Sequence, residues 1–225
     1  MDTREPYATG QPPQTAAPLL GEPLPIELMN TIWADHKGRH DALVDGSDLA
    51  VWLRAVAPRF AEDTFAGGPP LGGEEGAAER EVAGLVEEFR LLRDALRRLA
   101  AVSTEDDRPS ACTDTPDFAT AIEAVNRACA YAPGWSYLAW PEGGTPARAT
   151  RSAHDPAATA LSTIAEQAAR LFAGPDRVEL RACHAPGCVL YFLRTHPRRE
   201  WCSPGCGNRA RVARHYQRHH GQAAR

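Results

Sequence analysis

The sequence predicts a mainly α-helical protein, in which a multi-helical N-terminal domain with one candidate β-hairpin is followed by a small cysteine-rich module ending in a basic helix. Three observations support this prediction. Apolar residues recur at helical spacing through most of residues 24–175, four cysteines fall within 24 residues, and positive charge is concentrated in the last 45 residues. A length of 225 residues suits one medium domain and a small module.

Composition excludes several classes of protein. Apolar residues make up 43% and charged residues 24%, which is enough for a sizeable core and excludes a wholly disordered chain. No run approaches the ~20 apolar residues of a membrane-spanning helix, and the first six residues lead into no apolar signal core. We therefore expect a cytoplasmic protein with no membrane segment. Residues 1–22 are rich in Pro, Gly, Thr and Ala, which predicts a flexible arm.

Two helices are predicted at the start of the N-terminal domain. From Leu24, apolar residues recur at helical spacing as far as Ile32 and Trp33, with a proline in the predicted first turn. The second helix begins at Ser47, which we assign as its N-cap because an acidic residue and an apolar stripe follow it.

A loop and a long helix are predicted next. Residues 65–76 are too rich in glycine and proline for a helix or a strand. Over residues 82–99 the apolar side chains define one helix face. On the opposite face, Asp94 is spaced to pair with Arg90 and Arg98.

The rest of the N-terminal domain carries two capped helices with the candidate hairpin between them. Asp117 opens one helix, and Asp155 followed by a proline opens another that ends at Gly174. Between them, residues 135–140 have the aromatic content of a strand, and the loop 141–146 can return it as a hairpin.

The charge distribution divides the chain. Residues 181–225 contain nine arginines and one acidic residue, so they carry +8, while the other 180 residues carry −12. We place a domain boundary at about residue 178, between an N-terminal domain of residues 23–177 and a module of residues 178–225. A split of this size favours a basic module that meets a polyanion.

Four of the six cysteines form two close pairs, with four residues inside the first pair, thirteen between the pairs and three inside the second. Zinc takes four thiolates at tetrahedral corners, and two close pairs on two turns bring them together with little loop entropy. The dipeptides 186–187 and 204–205, both Pro-Gly, supply the tight turns. We predict one structural Zn²⁺ held by Cys183, Cys188, Cys202 and Cys206.

Other arrangements of these residues remain open. Two disulfides would use the same four cysteines, although a reducing cytosol works against them. His184 or His196 could each replace one cysteine as a ligand. A catalytic zinc is disfavoured because four thiolates close the coordination shell. Cys112 and Cys129 are isolated, and we interpret them as ordinary core or surface residues.

The segment 201–216, WCSPGCGNRARVARHY, resembles the CGNR zinc-finger family, whose name is spelled by Cys206, Gly207, Asn208 and Arg209. The apolar stretch 189–193 and the basic pair 198–199 are also similar to that finger. In this family the finger usually follows a domain called ABATE, which is associated with stress-induced transcription regulation. Residues 24–175 resemble this domain. The segments ELMNTIWA (27–34) and DLAVWL (48–53), with Arg39 between them, have the residue types of its opening.

Two departures from the family pattern are visible. The second cysteine pair is often one residue longer in the family, and an acidic residue often stands where this chain has Arg194. The local loop geometry and any role of that acid therefore do not carry over. All four cysteines are retained.

The C-terminal segment reads as a basic helix after Cys206. Val212 and Tyr216 are spaced to pack back on the finger, and another face carries the stripe Arg211, Arg214 and Arg218. Such a stripe suits phosphates, and the aromatic residues nearby are too few for single-strand stacking, so duplex DNA ranks above RNA. One short helix binds weakly, which predicts a homodimer that reads two half-sites.

Individual residues can be assigned within that interface. Asn208 and Arg209 stand at the start of the predicted helix, where they could read adenine and guanine edges; the alternative is that Asn208 caps the helix and Arg209 braces the zinc loops. Arg198 and Arg199 complete the predicted nucleic-acid-binding set.

Other functions rest on weaker signals. No phosphate-binding loop, nucleophile elbow or metalloprotease signature is present in residues 1–180, so we expect no enzyme. A protein-interaction adaptor with a purely structural zinc site is the main alternative. His36 and His40 could chelate a metal or be ordinary surface residues, and Asn30, Trp33 and Asp48 could line a ligand pocket or organise a helix junction. No effector is predicted.

Overall fold

The computed structural model describes residues 17–60, 75–109, 115 and 117–220. Within them the chain forms six α-helices, namely α1 (Leu24–Met29), α2 (Gly46–Phe60), α3 (Glu75–Thr104), α4 (Phe118–Cys129), α5 (Pro156–Ala173) and α6 (Pro204–His220). Six strands make three antiparallel hairpins, which are β1 (Ile32–Asp35) with β2 (Gly38–Asp41), β3 (Gly134–Ala139) with β4 (Ala147–Ser152), and β5 (Leu180–Ala182) with β6 (Tyr191–Leu193). The predicted mainly α fold is confirmed. Residues 1–16 of the predicted arm, 65–74 of the predicted loop, and Cys112 lie outside the described residues.

The long helix α3 is the centre of the N-terminal domain and packs against α2, α4 and α5. Its predicted apolar face is buried, including Phe89, whose ring meets that of Trp52 edge-on at 6.3 Å. The predicted ion pairs of Asp94 with Arg90 and Arg98 were wrong. Asp94 accepts a hydrogen bond from its neighbour Arg93 instead, and Arg90 donates to backbone carbonyls of the segment before α2.

Local capping signals were reliable in the second half of this domain. Asp117 accepts a hydrogen bond from the Thr120 amide at 2.8 Å, and Asp155 accepts one from the Ala158 amide at 2.8 Å. Helix α5 ends before Gly174 as predicted, and the predicted hairpin forms as β3 and β4. None of the described helices is long and apolar enough to cross a lipid bilayer.

The first predicted helix begins at Leu24 as expected, but its end and the start of the second helix need correction. The first helix stops at Met29, and Ile32 and Trp33 lie in β1, because Gly38 adopts φ +129° and turns the chain into a hairpin. The second helix begins at Gly46 and not after Ser47. The carboxylate of Asp45 caps it by accepting hydrogen bonds from the amides of Ser47 and Asp48 at 2.8 and 3.1 Å.

Two apolar cores join the N-terminal domain to the cysteine-rich module. Strands β5 and β6 contribute Leu180, Tyr191 and Leu193 to the large core built around α3. In return, Ile32 of β1 enters a small core made by the four cysteines and the aliphatic residues beside them. The module therefore packs into the N-terminal domain and is not joined to it by a linker alone.

Candidate zinc centre and nucleic-acid interface

The four predicted cysteine ligands converge on one point. Their Sγ atoms all lie within 4.8 Å of one another, and all four residues are buried. The Sγ atom of Cys202 lies 3.8 Å from that of Cys188 and 3.3 Å from that of Cys206. Four thiolates about 2.3 Å from a tetrahedral zinc are about 3.8 Å apart, so the four sulfurs fit one Zn²⁺.

Short local structures place these ligands. Cys183 follows β5, and Gly187, with φ +72°, forms the predicted turn that brings Cys188 back towards it. Cys202 precedes α6 and Cys206 lies in its first turn, where its amide donates to the Ser203 hydroxyl at 3.3 Å. The predicted second tight turn at residues 204–205 was wrong, because this Pro-Gly pair opens α6, and a proline suits a first helical turn.

The electrostatics of the cluster call for a cation. Hydrogen bonds from Cys188 and Cys202 lower the pKa of the Cys183 thiol, whereas hydrogen bonding to Cys183 raises the pKa of Cys188 to about 12 and also raises that of Cys202. Without a cation, the neighbouring sulfurs therefore disfavour ionisation of Cys188 and Cys202. A bound dication supplies the positive charge that allows all four sulfurs to ionise.

The alternative arrangements of the cysteines are not formed. Every cysteine among the described residues is a free thiol, and the described residues hold no cluster of three or more potential ligands that includes His184 or His196. The His40 ring nitrogen lies 2.8 Å from the Asp35 carboxylate across the first hairpin, and the His40 ring stacks on Trp33. Among the described residues, neither His36 nor His40 belongs to a cluster of three or more potential metal ligands. Cys129 lies half-buried on α4, away from the cluster.

Arginines surround the sulfur cluster and hold its loops. Arg209 donates to the Cys206 sulfur at 3.0 Å, so it braces the site through a ligand and not through backbone carbonyls. Arg199 donates to the carbonyls of Leu193 and Cys202 at 3.0 and 3.1 Å, and it pairs with the buried carboxylate of Glu22 at 2.5 Å. The Arg199 guanidinium therefore faces into the fold.

The N-terminal domain also reaches the first cysteine turn. Arg108, just after α3, donates to the carbonyls of Cys183 and Cys188 at 2.6 and 2.9 Å. Its other guanidinium nitrogens bond Asp106, whose side chain is fully buried and also accepts from the Tyr191 hydroxyl at 2.9 Å. We call Asn30, Arg97, Asp106, Arg108 and Tyr191 the interdomain network.

The other members of the interdomain network bond the finger's backbone. Asn30 accepts from the Tyr191 amide and donates to the Tyr191 carbonyl, both at 2.9 Å, much as a neighbouring strand would. Arg97 is fully buried and donates to the carbonyls of Met29 and Val189 at 3.0 and 3.3 Å. Asn30 was considered either as a ligand-pocket residue or as the organiser of a helix junction. Its contacts match a junction, but this junction joins the N-terminal domain to the finger and not two helices.

Opposing effects act on the ionisation of the interdomain network. Burial lowers the pKa of Arg97 to about 10. Burial alone would raise the pKa of Asp106, but the hydrogen bonds from Arg108 and Tyr191 outweigh it, and the pKa of Asp106 lies below its usual value. Both groups are therefore charged at neutral pH. Sequence reasoning missed Arg97, Asp106 and Arg108, because nothing in their neighbouring residues marks them as buried.

The predicted packing of α6 was wrong in one respect. Val212 and Tyr216 are not buried against the finger, because they are 66% and 64% exposed. Within residues 204–218 of α6, the buried residues lie in the first two turns, and residues 211–218 are exposed apart from the half-buried Ala213. Gly207 is one of the buried residues. The Trp201 ring packs so closely on it that an added Cβ would lie 3.2 Å from the ring.

The predicted nucleic-acid-binding residues occupy three kinds of position. Asn208 and Arg211 are exposed on α6 and hydrogen-bond each other, and Asn208 is not a cap because α6 begins at Pro204. The Arg214 guanidinium lies 3.9 Å from the Glu200 carboxylate and 5.7 Å from the centre of the Trp201 ring. The others divide into exposed residues, Arg198 and Arg218, and residues bound to the zinc loops, Arg199 and Arg209.

Comparison with known families accounts for most of the chain. The model of ABATE, described as a putative stress-induced transcription regulator, matches residues 22–175, and the model of the CGNR zinc finger matches residues 179–219. One describes a transcription regulator and the other a zinc finger, and neither describes an enzyme. No curated protein matches the chain. The chain belongs to the ABATE family, and a CGNR zinc finger forms its C-terminal part.

Proposed function

We propose that this regulator binds duplex DNA by placing the exposed part of α6 in the major groove. The observation that carries the proposal is that α6 contains four arginines and no acidic residue, and that residues 211–218 of this helix are exposed apart from the half-buried Ala213. A major groove is wide enough to admit an α-helix, and arginines on its flanks suit phosphates.

The burial pattern of α6 indicates which face would meet the bases. Cys206, Gly207 and Ala210 are buried and define the inner face of the helix. At 3.6 residues per turn, the opposite face carries Asn208 and Val212. An asparagine can bond adenine in bidentate fashion, and a valine can contact the thymine methyl group. These two residues are therefore the proposed base readers.

The arginines would contribute positioning and charge. Arg211 and Arg218 lie on one flank of the outer face, where phosphates would line the groove, whereas Arg209 lies on the other flank and is held to the Cys206 sulfur. Arg198 is exposed on the loop before α6 and would add a further phosphate contact. Arg199 has its guanidinium bound within the fold, so in this proposal it holds the finger together.

The test is fluorescence anisotropy of the zinc-loaded full-length protein on random duplex DNA over a series of salt concentrations. We expect steep weakening with salt, and each of Arg211→Ala and Arg218→Ala should reduce the salt slope by about 0.9. Arg170→Ala on α5 is the matched control, because this arginine is 70% exposed and lies outside the finger. An equal loss in the control, or no binding by the folded zinc protein, would refute the proposal.

A second candidate is the protein-interaction adaptor, in which the zinc site is purely structural and the basic helix binds an acidic protein surface. The charge split favours it to some degree, since the first 180 residues of the chain carry −12 and are themselves such a surface. In either case we propose that the N-terminal domain supplies the sensing or the oligomerisation. A folded, zinc-loaded protein that ignores DNA but binds a polyglutamate peptide would favour the adaptor.

A further inference from the structure

Strand β3 presents large apolar side chains on both of its faces. Trp135, Tyr137 and Leu138 are 51%, 37% and 64% exposed, and Trp140, directly after the strand, is 67% exposed. The strand has the sequence GWSYLA, without a charged residue, and among the described residues it pairs only with β4. Edge strands in monomers are commonly protected by charges, prolines or bulges, and β3 carries none of these.

We propose that β3 is a dimerisation edge, at which the β3 strands of two copies of this chain pair antiparallel and form a four-stranded sheet. Successive side chains of a strand point to opposite faces, so a partner docked on one face would leave either Trp135 or Leu138 uncovered. An added strand brings side chains to both faces at once. It also bonds the outward backbone groups of β3, which have no strand beside them among the described residues.

Charge favours β3 over the other edge of the hairpin. Strand β4 contains Arg148 and Arg151, so pairing two β4 edges would bring like charges together. Pairing of β3 with the β4 of another copy would leave free edges and continue as an open chain, whereas pairing of β3 with β3 has two-fold symmetry and closes. The acidic surface of the first 180 residues adds repulsion elsewhere, and β3 contributes none.

The exposed side chains supply roughly half of the area that such a contact needs, and backbone pairing supplies more. From the exposed fractions of the four side chains, roughly 450 Å² of side-chain surface is available per copy. A stable interface buries about 800 Å² per partner, and backbone pairing over the strand adds to the side-chain area. A two-stranded hairpin is also marginal alone, and four strands are more stable. We therefore expect a concentration-dependent dimer.

The dimer would have a consequence for recognition, and this consequence rests on the proposed DNA-binding function. One exposed helix reads only a few base pairs, so specific recognition needs two half-sites and two copies of α6. Pairing through β3 uses no residue of α6, so each copy keeps its own α6 for this purpose.

The experiment is sedimentation velocity of the zinc-loaded full-length protein without DNA, from about 1 to 100 µM. We expect a dimer, and we expect Trp135→Lys and Leu138→Lys each to raise its dissociation constant roughly tenfold or more, because uncharged side chains become like charges at the interface. Val102→Lys is the control, as Val102 is 49% exposed on α3. Hydrogen exchange of residues 134–139 in the unmodified protein should slow as concentration rises.

Two results would overturn the proposal. One is a monomer across the whole range with β3 amides that exchange equally fast at every concentration. The other is a dimer that survives both lysine variants, which would place the interface elsewhere. Because no DNA is present, a failure of the DNA-binding proposal leaves the dimer intact, and a monomeric protein could still bind DNA with the weak affinity of one helix.

Discussion

The two halves of the zinc finger use the same residue types for different purposes. In the inner half, which contains β5, β6 and the cysteine turns, arginines bond carbonyls, a sulfur atom and the buried carboxylate of Glu22. In the outer half, from residue 211 of α6 onward, the arginines lie on an exposed helix. A high positive charge in the sequence therefore does not identify a binding surface by itself, because part of the charge maintains the fold.

The largest expected effect comes from breaking the inner half at its metal. Removing zinc with a chelator, or substituting Cys202→Ser, should destabilise the whole protein by more than ~5 kcal/mol, because zinc binding energy is folding energy and the finger's Tyr191 lies in the main core. We expect thermal unfolding to shift as one transition. Cys129→Ser is the control, since this half-buried cysteine lies outside the cluster. Loss of the finger alone, with the main transition unchanged, would contradict the shared core.

The next effect tests the interdomain network. Asp106→Asn removes a buried charge that pairs with Arg108, and we expect a loss of about 3 kcal/mol at pH 7 in urea unfolding. Glu166→Gln is the control, because that carboxylate is 47% exposed and pairs only at the surface. A loss below that of the control would show that the two domains do not depend on this contact.

The pH dependence of the same variant has a defined sign. The pKa of Asp106 is lower in the folded protein than its usual value near 4, so its stabilising contribution is complete above about pH 4 and is lost as pH falls through the folded pKa. The difference in unfolding free energy between the unmodified protein and Asp106→Asn should therefore be constant from neutral pH to about pH 5 and shrink below pH 4. A difference that grew on acidification would contradict this assignment.

A smaller effect concerns zinc affinity without a change of ligand. Arg108→Ala leaves the carbonyls of Cys183 and Cys188 without their donor, so the first cysteine turn loses its support. We expect zinc affinity to fall roughly tenfold, as is typical when groups behind metal ligands are removed. Competition with a chromophoric chelator measures it. Arg127→Ala, near the end of α4, is the control, and an unchanged affinity would limit Arg108 to a structural contribution.

The smallest effects on stability sharpen the comparison of inner and outer arginines. Arg199→Ala should cost about 1 to 3 kcal/mol, because it removes the charged partner of the buried Glu22 carboxylate and leaves that carboxylate, among the described residues, only the Leu193 amide. The salt dependence of DNA binding should be unchanged. Arg218→Ala should change stability by less than about 0.5 kcal/mol and lower the salt slope. Urea unfolding and anisotropy on the same two variants separate the roles. Reversed results would exchange the two assignments.

Much of the fold was predictable because its signals are local. Asp117 and Asp155 cap their helices through side chains that lie within three residues of the amides they bind. The zinc ligands fall in two close pairs within 24 residues, so their spacing alone indicated the site. The first hairpin was missed because Ile32 and Trp33 also fit a helical pattern, and a short apolar run does not distinguish a helix from a strand.

The cysteine ligands, most helix positions and the division of charge followed from the amino-acid sequence, because each is recorded in the spacing or composition of one continuous segment. The burial of Arg97, the inward direction of Arg199 and the exposure of Val212 and Tyr216 were decided only when the domains packed together. Arg97 bonds a carbonyl 92 residues away, and Tyr191 bonds Asp106 85 residues away. Contacts at such separations depend on which surfaces meet in three dimensions, and no local pattern records that.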